Sequence, residues 1–550
     1  MSTKFYSRLQ LLAAAVLVTA CAAPSTESPS AAASAERPRL VVFMAIDGLP
    51  QRQVTAYRDQ LAPDGFRRFL DRGAWFSDAH YRHGFTVTAA GHATMLTGTY
   101  PHRTGIIGNE WLDPVTGAST YCTEDTAATY IGNKTGPHDG TSPRNLKVDT
   151  VGDVLRKVDA RSKVISISGK DRGAILPGGH AGTAYMYQSS SGQFASTTYY
   201  QPRHPAWVDA FNGAKPADRW FKGEWKPLLP DAAYARSLPD NQPWYGANGK
   251  LPRPLGGANL PSPGPAYYGS LLPGPYADTL SLEFARAAIA GEQLGADDAP
   301  DILAVSLSGH DYVNHAYSAE SRLSHDHFLQ LDRLLEAFFR DLDAKVGRDR
   351  YVVVLTADHG FGPSPEYSKT LGRDAGRIPT SAFVRRVGDA VERRFGARLV
   401  RGLTASGFLL DRAAVRARGL DLETVAQVAR DAVAAEPGVA VAYTAGEMRS
   451  GSKAGAPSFD ALRRSFHPDV SGDVMFAVKP YWLLGSTPAS HGTPYEYDNH
   501  VPILMWGPKW VVPGERTEAV EPTGIAPTIA KWLRIPAPST AEGQVLSAAR

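Results

Sequence analysis

Three apolar runs of this chain, far apart in the sequence, each end in side chains of the kind that bind metal ions. The runs are rich in valine, isoleucine and leucine, and they read as buried strands: VVFMAIDG, ILAVSLSGHDYVNH and VVVLTADHG. Ligands that reach strand ends from distant parts of a chain are typical of functional sites in open α/β sheets. This pattern restricts the fold before composition or charge is considered.

The side chains at these strand ends are carboxylates and imidazoles, and no thiolate is among them. They are Asp47, Asp311, His315, Asp358 and His359, and the later loop SHG adds His491. Asp311 and His315 have the spacing of one helical turn, so both can face one ion. Each pair alone also fits a surface ion pair or a helix cap. Their joint placement favours a hydrolytic site that holds two zinc-like ions.

The rhythm of apolar runs and amphipathic segments predicts an α/β fold. Strands are predicted at 39–46, 163–168, 301–308, 351–357, 473–478 and 501–506. Amphipathic helices are predicted at 152–160, 324–347 and 526–535. The order strand, helix, strand predicts a largely parallel central sheet sandwiched by helices.

Two stretches depart from that rhythm. Residues 183–275 are dense in Tyr, Trp, Pro and Gly and predict an irregular, aromatic insertion near one end of the sheet. Residues 365–470 contain further helical patterns beside a patch rich in serine and glycine, and they predict a capping subdomain.

The N-terminus reads as an export signal. Basic residues precede the apolar segment 11–20, which is too short to span a bilayer. The segment ends in VTAC at Cys21, which resembles the bacterial lipoprotein cleavage box; the alternative is an ordinary signal peptide cut near Ala23. We therefore predict a signal peptide at 1–20, lipidation of Cys21 and a flexible tether at 21–37. These features predict an exported bacterial lipoprotein, periplasmic or on the outer membrane or cell surface, with the lipid as its sole membrane contact.

Charge and cysteine content narrow the classes of function. The 550 residues carry a formal net charge of only +3, without an arginine-rich stripe, so nucleic-acid binding is not expected. If Cys21 is lipidated, Cys122 is the remaining cysteine, and an intramolecular disulfide is excluded. We predict that Cys122 is a small packed residue.

The segment HGFTVTAAGHATML supplies the candidate nucleophile. Thr88 stands just before AAGH, at the predicted start of a helix, where backbone N–H groups and the helix dipole favour anions. A threonine hydroxyl is inert at its free pKa, but zinc can hold it as the alkoxide. Thr86 and Thr94 compete with Thr88 by local pattern, and helix capping is the alternative role for all three.

Six motifs, taken in order, resemble the alkaline phosphatase superfamily: AIDG, TAAGHAT, GIIGNEW, GHDYVNH, TADHG and SHGTPYEYDNHVPIL. The resemblance covers residues 38–545 and implies a single catalytic domain with two zinc ions at the strand ends. Asn109, in GIIGN, matches an asparagine that donates to a phosphate oxygen. The resemblance also implies two ligand sets: Asp311, His315 and His491 for the first ion, and Asp47, Asp358, His359 and the Thr88 oxygen for the second.

The segment SGKDRGAILPGGH resembles the phosphate-irrepressible alkaline phosphatases, which are exported bacterial monoesterases with a threonine nucleophile. The matching cations are Lys170 and Arg172, and on an extended segment a spacing of two places both on one side. Two fixed cations suit the dianion of a phosphate monoester, whose extra charge a diester lacks. The resemblance implies hydrolysis of small phosphate monoesters through a phosphothreonine, and we expect a monomer.

Other readings remain at this stage. A nucleotide pyrophosphatase/phosphodiesterase would share the metals and the threonine, although Lys170 and Arg172 argue against it. A sulfatase is disfavoured because the chain has no C-x-P-x-R or S-x-P-x-R stretch. A surface lipoprotein that binds metal or phosphate without turnover is the rival outside enzymes.

Within the motifs, GHDYVNH has His310 and Asn314 where the family more often has a small hydroxyl residue and glycine. We expect His310 to be a packed histidine or a partner of a metal ligand. His92 is expected to stabilise the start of its helix.

Overall fold

Nine strands form the central sheet in the part of the chain that the computed structural model describes, residues 36–405 and 407–550. In chain order they are β1 Leu40–Ile46, β2 Ala74–Phe76, β3 Val164–Ser168, β4 Thr183–Gln188, β5 Gln193–Ala195, β6 Asp301–Leu307, β7 Tyr351–Thr356, β8 Ile503–Trp506 and β9 Gly514–Arg516. Their spatial order is β9-β2-β8-β7-β1-β6-β3-β4-β5. The predicted signal peptide, Cys21 and the tether up to residue 35 lie outside the described residues.

Five neighbouring strands, β7, β1, β6, β3 and β4, run parallel through the middle of the sheet. Strands β8 and β5 are antiparallel to their neighbours β7 and β4. All residues of β1, β6 and β7 are buried, because both faces of the sheet are covered. The predicted α/β fold with a largely parallel, helix-flanked sheet is confirmed.

The helices that flank the sheet or follow its strands include all three that the sequence predicted. They are α1 Thr88–Thr97, α2 Val151–Val158, α3 Asp171–Gly178, α4 Pro275–Gly291, α5 Gly309–Tyr317, α6 Arg322–Leu342 and α7 Ile525–Leu533. Helix α6 buries the predicted apolar face, including Phe328, Leu335 and Phe339, in the main core. Other short helices span Gln51–Ala56, Arg67–Arg72, Pro101–Thr104, Ala206–Gly213, Pro265–Ser270, Pro365–Thr370, Arg412–Ala417, Ala445–Ser450, Phe459–Arg464 and Glu496–Asn499.

A second, antiparallel sheet lies within the predicted capping segment. Its four strands are Val400–Thr404, Gly407–Leu410, Val439–Thr444 and Val474–Val478, with helices Thr380–Phe395 and Leu422–Ala434 packed on it. The apolar run at 473–478 therefore forms a strand of this sheet, whereas the other five predicted strands lie in the central sheet. Its residues pack with the cap helices because antiparallel pairing with Val439–Thr444 carries it away from the central core.

The prediction of an irregular insertion at 183–275 is wrong for the first residues of this range. Its first residues form β4 and β5, which complete one edge of the central sheet. The rest is a run of short elements, with a small strand pair at Glu224–Trp225 and Arg253–Pro254. Two further pairs join Glu110–Leu112 to Ser119–Tyr121 and Gly376–Ile378 to Trp482–Leu484. Among residues 36–405 and 407–550, no helix has both the length and the apolar character needed to cross a bilayer.

Candidate active site

The register of the parallel strands brings the predicted ligands to one edge of the sheet. Ile46 pairs with Leu307 and Ala45 with Thr356, so β1, β6 and β7 end side by side. The polar segments that follow these three strands therefore leave the sheet at the same edge, as expected for a site in an open α/β fold.

Asp311, His315 and His491 form the first ligand group. Asp311 and His315 lie one turn apart on α5, and His491 comes from a loop close to the C-terminal end of the chain. The Nε2 atoms of His315 and His491 lie 3.4 Å and 3.5 Å from Asp311 Oδ1. One ligand atom from each residue lies within 4.8 Å of the others, which is close enough for one ion.

Asp47, Asp358 and His359 form the second ligand group, and all three are fully buried. His359 Nε2 lies 3.5 Å from both Asp47 Oδ1 and Asp358 Oδ2. The rings of His359 and His491 stack with their centroids 3.5 Å apart. The two groups are therefore direct neighbours.

The histidines of both groups present the same nitrogen to the site. In each, Nδ1 faces a backbone carbonyl: Ala489 for His315 at 3.1 Å, Thr86 for His491 at 2.8 Å and Gly360 for His359 at 2.8 Å. A ring nitrogen that faces a carbonyl must carry the proton, so the neutral imidazole offers its Nε2 lone pair to the site. This second contact is the usual way to orient a histidine that binds a metal.

The buried atoms of the two groups fit divalent cations. Among the described residues, Asp47 Oδ1, Asp311 Oδ1 and His359 Nε2 are buried without a hydrogen-bond partner. Leaving such acceptors unpaired is costly, and all three point to the centres of the two groups. Carboxylate oxygens and imidazole nitrogens are ligands that suit zinc.

The pKa shifts of residues in the two groups also favour cation binding. Burial and the neighbouring Asp358 raise the pKa of Asp47 well above its usual range, a charge conflict that a cation would relieve. Burial lowers the pKa of His359 and, more strongly, that of His491. These imidazoles are therefore neutral over a wide pH range, as metal binding requires.

Lys170 lies between the two groups. Its Nζ atom is 2.7 Å from Asp47 Oδ2 and 2.6 Å from Asp311 Oδ2, and its side chain is buried. The predicted extended segment around it is wrong, because helix α3 begins at Asp171 and Lys170 alone keeps an extended backbone, at its N-cap. This helix is the crossover connection that joins β3 to its parallel neighbour β4.

Arg172, in the first turn of α3, turns toward the same edge of the sheet. Its Nη1 donates to the Tyr121 hydroxyl at 3.1 Å. Its Nε atom is buried and has no hydrogen-bond partner among the described residues. The guanidinium therefore keeps a donor available for an anion.

Thr88 is the first residue of α1 and is buried. Its hydroxyl has no hydrogen-bond partner in the described part of the chain, whereas the competing hydroxyls are committed. Thr86 Oγ1 donates to the Thr493 carbonyl at 2.9 Å, and Thr94 Oγ1 donates to that of Ala90 at 2.8 Å. The structure thus separates three threonines that the local pattern left open.

Asn109 lies beside the first turn of α1. Its Oδ1 accepts from the Ala89 N–H at 2.9 Å, which fixes the orientation of the amide. The Nδ2 donor has no partner among residues 36–405 and 407–550, so it is free to serve an anion near Thr88.

His92 has a role beyond the helix stabilisation that the sequence suggested. Its Nδ1 lies 2.9 Å from the Thr88 carbonyl and 3.1 Å from Asp358 Oδ2, and its Nε2 lies 2.8 Å from Ser306 Oγ. A Cβ on Gly91 would lie 2.1 Å from the Asp358 carbonyl, so α1 packs directly on the second ligand group. In the sequence, the spacing of four residues between Thr88 and His92, about one helical turn, indicates that the two residues lie on the same face of α1.

Gly48 is a second residue whose role the sequence did not reveal. Its N–H donates to Asp358 Oδ1 at 3.0 Å, and its carbonyl accepts from Asn314 Nδ2 at 3.1 Å. Its φ of +70° favours glycine, and a Cβ at this position would lie only 3.2 Å from Asp311. The backbone of this glycine therefore binds a member of the second ligand group and, through Asn314, the helix that carries Asp311 and His315 of the first.

A third cluster of ligand-type residues, Asp149, Asp153 and His180, is explained by local structure. Asp153 forms a capping box with Thr150 at the start of α2. His180 Nε2 donates to the Leu146 carbonyl at 3.0 Å, and its Nδ1 faces Asp153. These contacts fix the end of a loop against a helix.

Two Asp/His groups at the carboxyl edge of a mainly parallel sheet, with a free threonine hydroxyl on the adjoining helix, define a metal-dependent hydrolase of the alkaline phosphatase superfamily. A family model described as type I phosphodiesterase / nucleotide pyrophosphatase matches residues 41–500. The chain belongs to this family, and its relatives place it in the phosphate-irrepressible bacterial alkaline phosphatase branch. The resemblance inferred from the motifs is confirmed.

The relatives match over nearly the whole chain. Alkaline phosphatase PafA of Elizabethkingia meningoseptica is 33% identical, covering 93% of this chain and 94% of that protein. Alkaline phosphatase PhoV of Synechococcus elongatus is 32% identical, covering 98% and 99%. The crystal structure of PafA superposes with a TM-score of 0.86 over 93% of this chain and 99% of that one, at 32% identity. A PafA variant with a threonine changed to serine, and an asparagine, a lysine and an arginine changed to alanine, matches equally well.

Proposed function

We propose that this enzyme hydrolyses small phosphate monoesters through a phosphothreonine intermediate on Thr88. The observation that carries the proposal is the uncommitted Thr88 hydroxyl on a helix packed against two adjoining Asp/His groups. Two zinc ions are proposed, held by Asp311, His315 and His491, and by Asp47, Asp358, His359 and Thr88 Oγ1. When bound, such ions stabilise charge on the attacking and leaving oxygens of an in-line displacement.

The residues around Thr88 suit the first step. The hydroxyl loses its proton to solvent and attacks phosphorus, the bond between phosphorus and the alcohol oxygen breaks, and the alcohol leaves after its oxygen takes up a proton. The N-terminus of α1 stabilises negative charge on the phosphoryl group. Asn109 Nδ2 donates to a phosphoryl oxygen, since its Oδ1 is already bound to the Ala89 N–H. A water molecule then cleaves the phosphothreonine and restores Thr88. Most of the catalysis is positioning and charge stabilisation.

Lys170 and Arg172 supply the preference for monoesters. Both lie at the edge where the two Asp/His groups meet, and a monoester dianion offers one more charged oxygen than a diester. The solved PafA variant supports this assignment, because the four residue types changed in it are those of Thr88, Asn109, Lys170 and Arg172, in the same order.

A direct comparison of substrates tests the proposal. Hydrolysis of 4-nitrophenyl phosphate and of bis(4-nitrophenyl) phosphate is measured after removal of metal and again after addition of zinc. We expect zinc to restore activity and the monoester to be favoured by several orders of magnitude in kcat/KM. A clear preference for the diester would instead identify a nucleotide pyrophosphatase/phosphodiesterase, the alternative that the name of the family model favours.

The organisation and location of the chain are part of the proposal. Residues 38–545 would form a single catalytic domain, with insertions at about 365–470 and in the part of 183–275 that follows β5. The separate apolar cluster of the second sheet supports the insertion at 365–470. The enzyme would act as a monomer, exported and held at the membrane only by a lipid on Cys21. A Cys21→Ser variant should then move from the membrane to the soluble fraction, and its retention at the membrane would exclude the anchor.

A further inference from the structure

A cleft of about 530 Å³ opens beside Lys170 and Arg172. This volume is in the range of small-molecule sites and is far larger than a phosphate group needs. Four tyrosines line it, Tyr121, Tyr130, Tyr187 and Tyr312. The cleft therefore has room for the organic part of a substrate whose phosphate touches the two cations.

The cleft lies on the side of the site that suits a leaving group. Tyr312 follows Asp311 on α5, and its ring centroid is 4.8 Å from Lys170 Nζ. Thr88 is not among the lining residues. In an in-line displacement the leaving oxygen departs opposite the nucleophile, next to the Asp311 group, so the attached alcohol extends toward Tyr312.

Three of the tyrosines are held in place by their hydroxyls. Tyr130 OH donates to the Gly140 carbonyl at 2.9 Å, and Tyr187 OH donates to the Tyr268 carbonyl at 3.1 Å. Tyr121 OH is bound by Asp171 and Arg172. With their polar ends occupied, these side chains contact a ligand through their rings, of which Tyr130 and Tyr187 expose only a small part. Ring contacts favour planar, aromatic groups.

Lys134 and Tyr312 are among the residues of the cleft whose polar groups are uncommitted. In the described ranges, neither the Tyr312 hydroxyl nor the exposed Lys134 ammonium has a hydrogen bond or an ion pair. The acidic groups that share the lining are engaged: Asp139 Oδ2 accepts from the Gly136 N–H, and Asp171 accepts from Gly140 N–H and Tyr121. Apart from Lys170 and Arg172, Lys134 is the cation that lines the cleft, and it suits a second anionic group.

We propose that this cleft is a leaving-group subsite that selects phosphate monoesters of aromatic alcohols with a second, remote anionic group. Lys134 binds that anion, and Tyr312 with its neighbours packs against the ring. The proposal rests on the monoesterase function above and names the substrate class of the same site.

The test compares three substrates: 4-carboxyphenyl phosphate, 4-nitrophenyl phosphate and glycerol 2-phosphate. Lys134→Ala should lower kcat/KM for the carboxyphenyl ester relative to the nitrophenyl ester by up to about fivefold, mainly through KM. This loss should shrink with added salt, as expected for an exposed ion pair. Lys345→Ala is the matched control, because Lys345 is exposed just before β7, at the opposite edge of the sheet.

Tyr312→Leu tests the aromatic wall separately and should reduce the preference for 4-nitrophenyl phosphate over glycerol 2-phosphate. Unchanged ratios in Lys134→Ala, or equal changes in Lys345→Ala, would overturn the anion contact, and an unchanged ratio in Tyr312→Leu would overturn the aromatic one. If the wild-type enzyme hydrolyses none of the three monoesters, the proposed function itself is rejected. Ratios between substrates separate these outcomes, since they cancel general losses of activity.

Discussion

His310 Nδ1 lies 3.1 Å from His327 Nδ1, deep beneath the helix that presents Asp311 and His315. His310 Nε2 donates to Gln53 Oε1 at 2.7 Å, because the Gln53 amide nitrogen is itself committed as a donor. In a neutral His310 the Nδ1 atom must then accept from His327. The proton positions are thus fixed: His310 carries its proton on Nε2, and His327 carries one on Nδ1. These hydrogen bonds connect α5 to α6 and to the helix after β1.

Removing His310 should loosen α5 and with it the first ligand group. His310→Ala leaves His327 Nδ1 and Gln53 Oε1 buried without their present partner and creates a cavity, so we expect a loss of about 2–4 kcal/mol in unfolding free energy. Zinc affinity should fall by about 10- to 100-fold, as for other residues that orient metal ligands. Thermal unfolding and competition with a chelator measure the two effects. His138→Ala, at an exposed histidine, is the control, and equal zinc affinity in both variants would contradict the expectation.

Thr88→Ala should abolish most turnover while the metal groups stay intact. We expect kcat to fall by about 10³-fold or more, since no other free hydroxyl lies at the start of α1 in the described structure. Metal content by elemental analysis and labelling of acid-quenched enzyme with radioactive phosphate check the result. Thr94→Ala removes a hydroxyl of the same helix that already donates to Ala90, and it should keep activity and label. A labelled Thr88→Ala enzyme would place the nucleophile elsewhere.

Lys170→Ala and Arg172→Ala should act on charge recognition. Each is expected to lower kcat/KM for phosphate monoesters by about 10²- to 10³-fold, the usual cost of one donor to a developing charge. Diester hydrolysis should change far less, so the ratio between the two substrates is the measurement. If both substrates lose activity equally, the cations serve the metal groups and not the extra oxygen. Lys345→Ala again serves as the control for a lost positive charge.

His83 should make the protein sensitive to acid. The ring is buried between Tyr81 and Tyr100, and burial lowers the pKa of His83 to about 3. The unfolded chain binds this proton near pH 6.5, so the contribution of His83 is full above that pH and is lost as pH falls toward 3. At pH 5 the loss is about 2 kcal/mol.

His83→Phe keeps an aromatic ring at this position and removes the titratable group. Urea denaturation at pH 7.5 and pH 5, at equal zinc concentration, should show a smaller loss of stability for the variant than for the wild type. The two ring nitrogens of His83 also lack partners among the described residues, so the variant should not be destabilised at pH 7.5. Parallel losses in both proteins would show that other groups govern the acid response.

The central sheet could be predicted because buried parallel strands are continuous apolar runs, and five of them were found to within two residues. Strands Ala74–Phe76 and Gly514–Arg516 are too short to leave such a pattern, and Thr183–Gln188 was hidden in an aromatic, glycine-rich stretch. The sheet to which a strand such as Val474–Val478 belongs depends on its partner strand, and a single apolar run does not identify that partner. The six Asp and His candidate ligands come together as two groups, and five of them follow β1, β6 and β7, whose ends lie side by side.

The contacts that orient those ligands could not be read from the sequence. His92 reaches Asp358 and His310 reaches His327 across elements that are distant in the chain. Likewise, the choice between Thr86, Thr88 and Thr94 depends on which carbonyl each hydroxyl meets. Local patterns name residue types, whereas these contacts depend on how helices are placed on the sheet.

The backbone of Gly48 connects the two Asp/His groups. Its N–H fixes Asp358, its carbonyl fixes the helix of Asp311 through Asn314, and neither contact uses a side chain of Gly48. A main-chain segment of one residue therefore links Asp358 of the second ligand group to the helix that carries the first. Substitutions in the surrounding cleft leave this link in place, whereas a change at Asp358 or Asn314 would break one half of it.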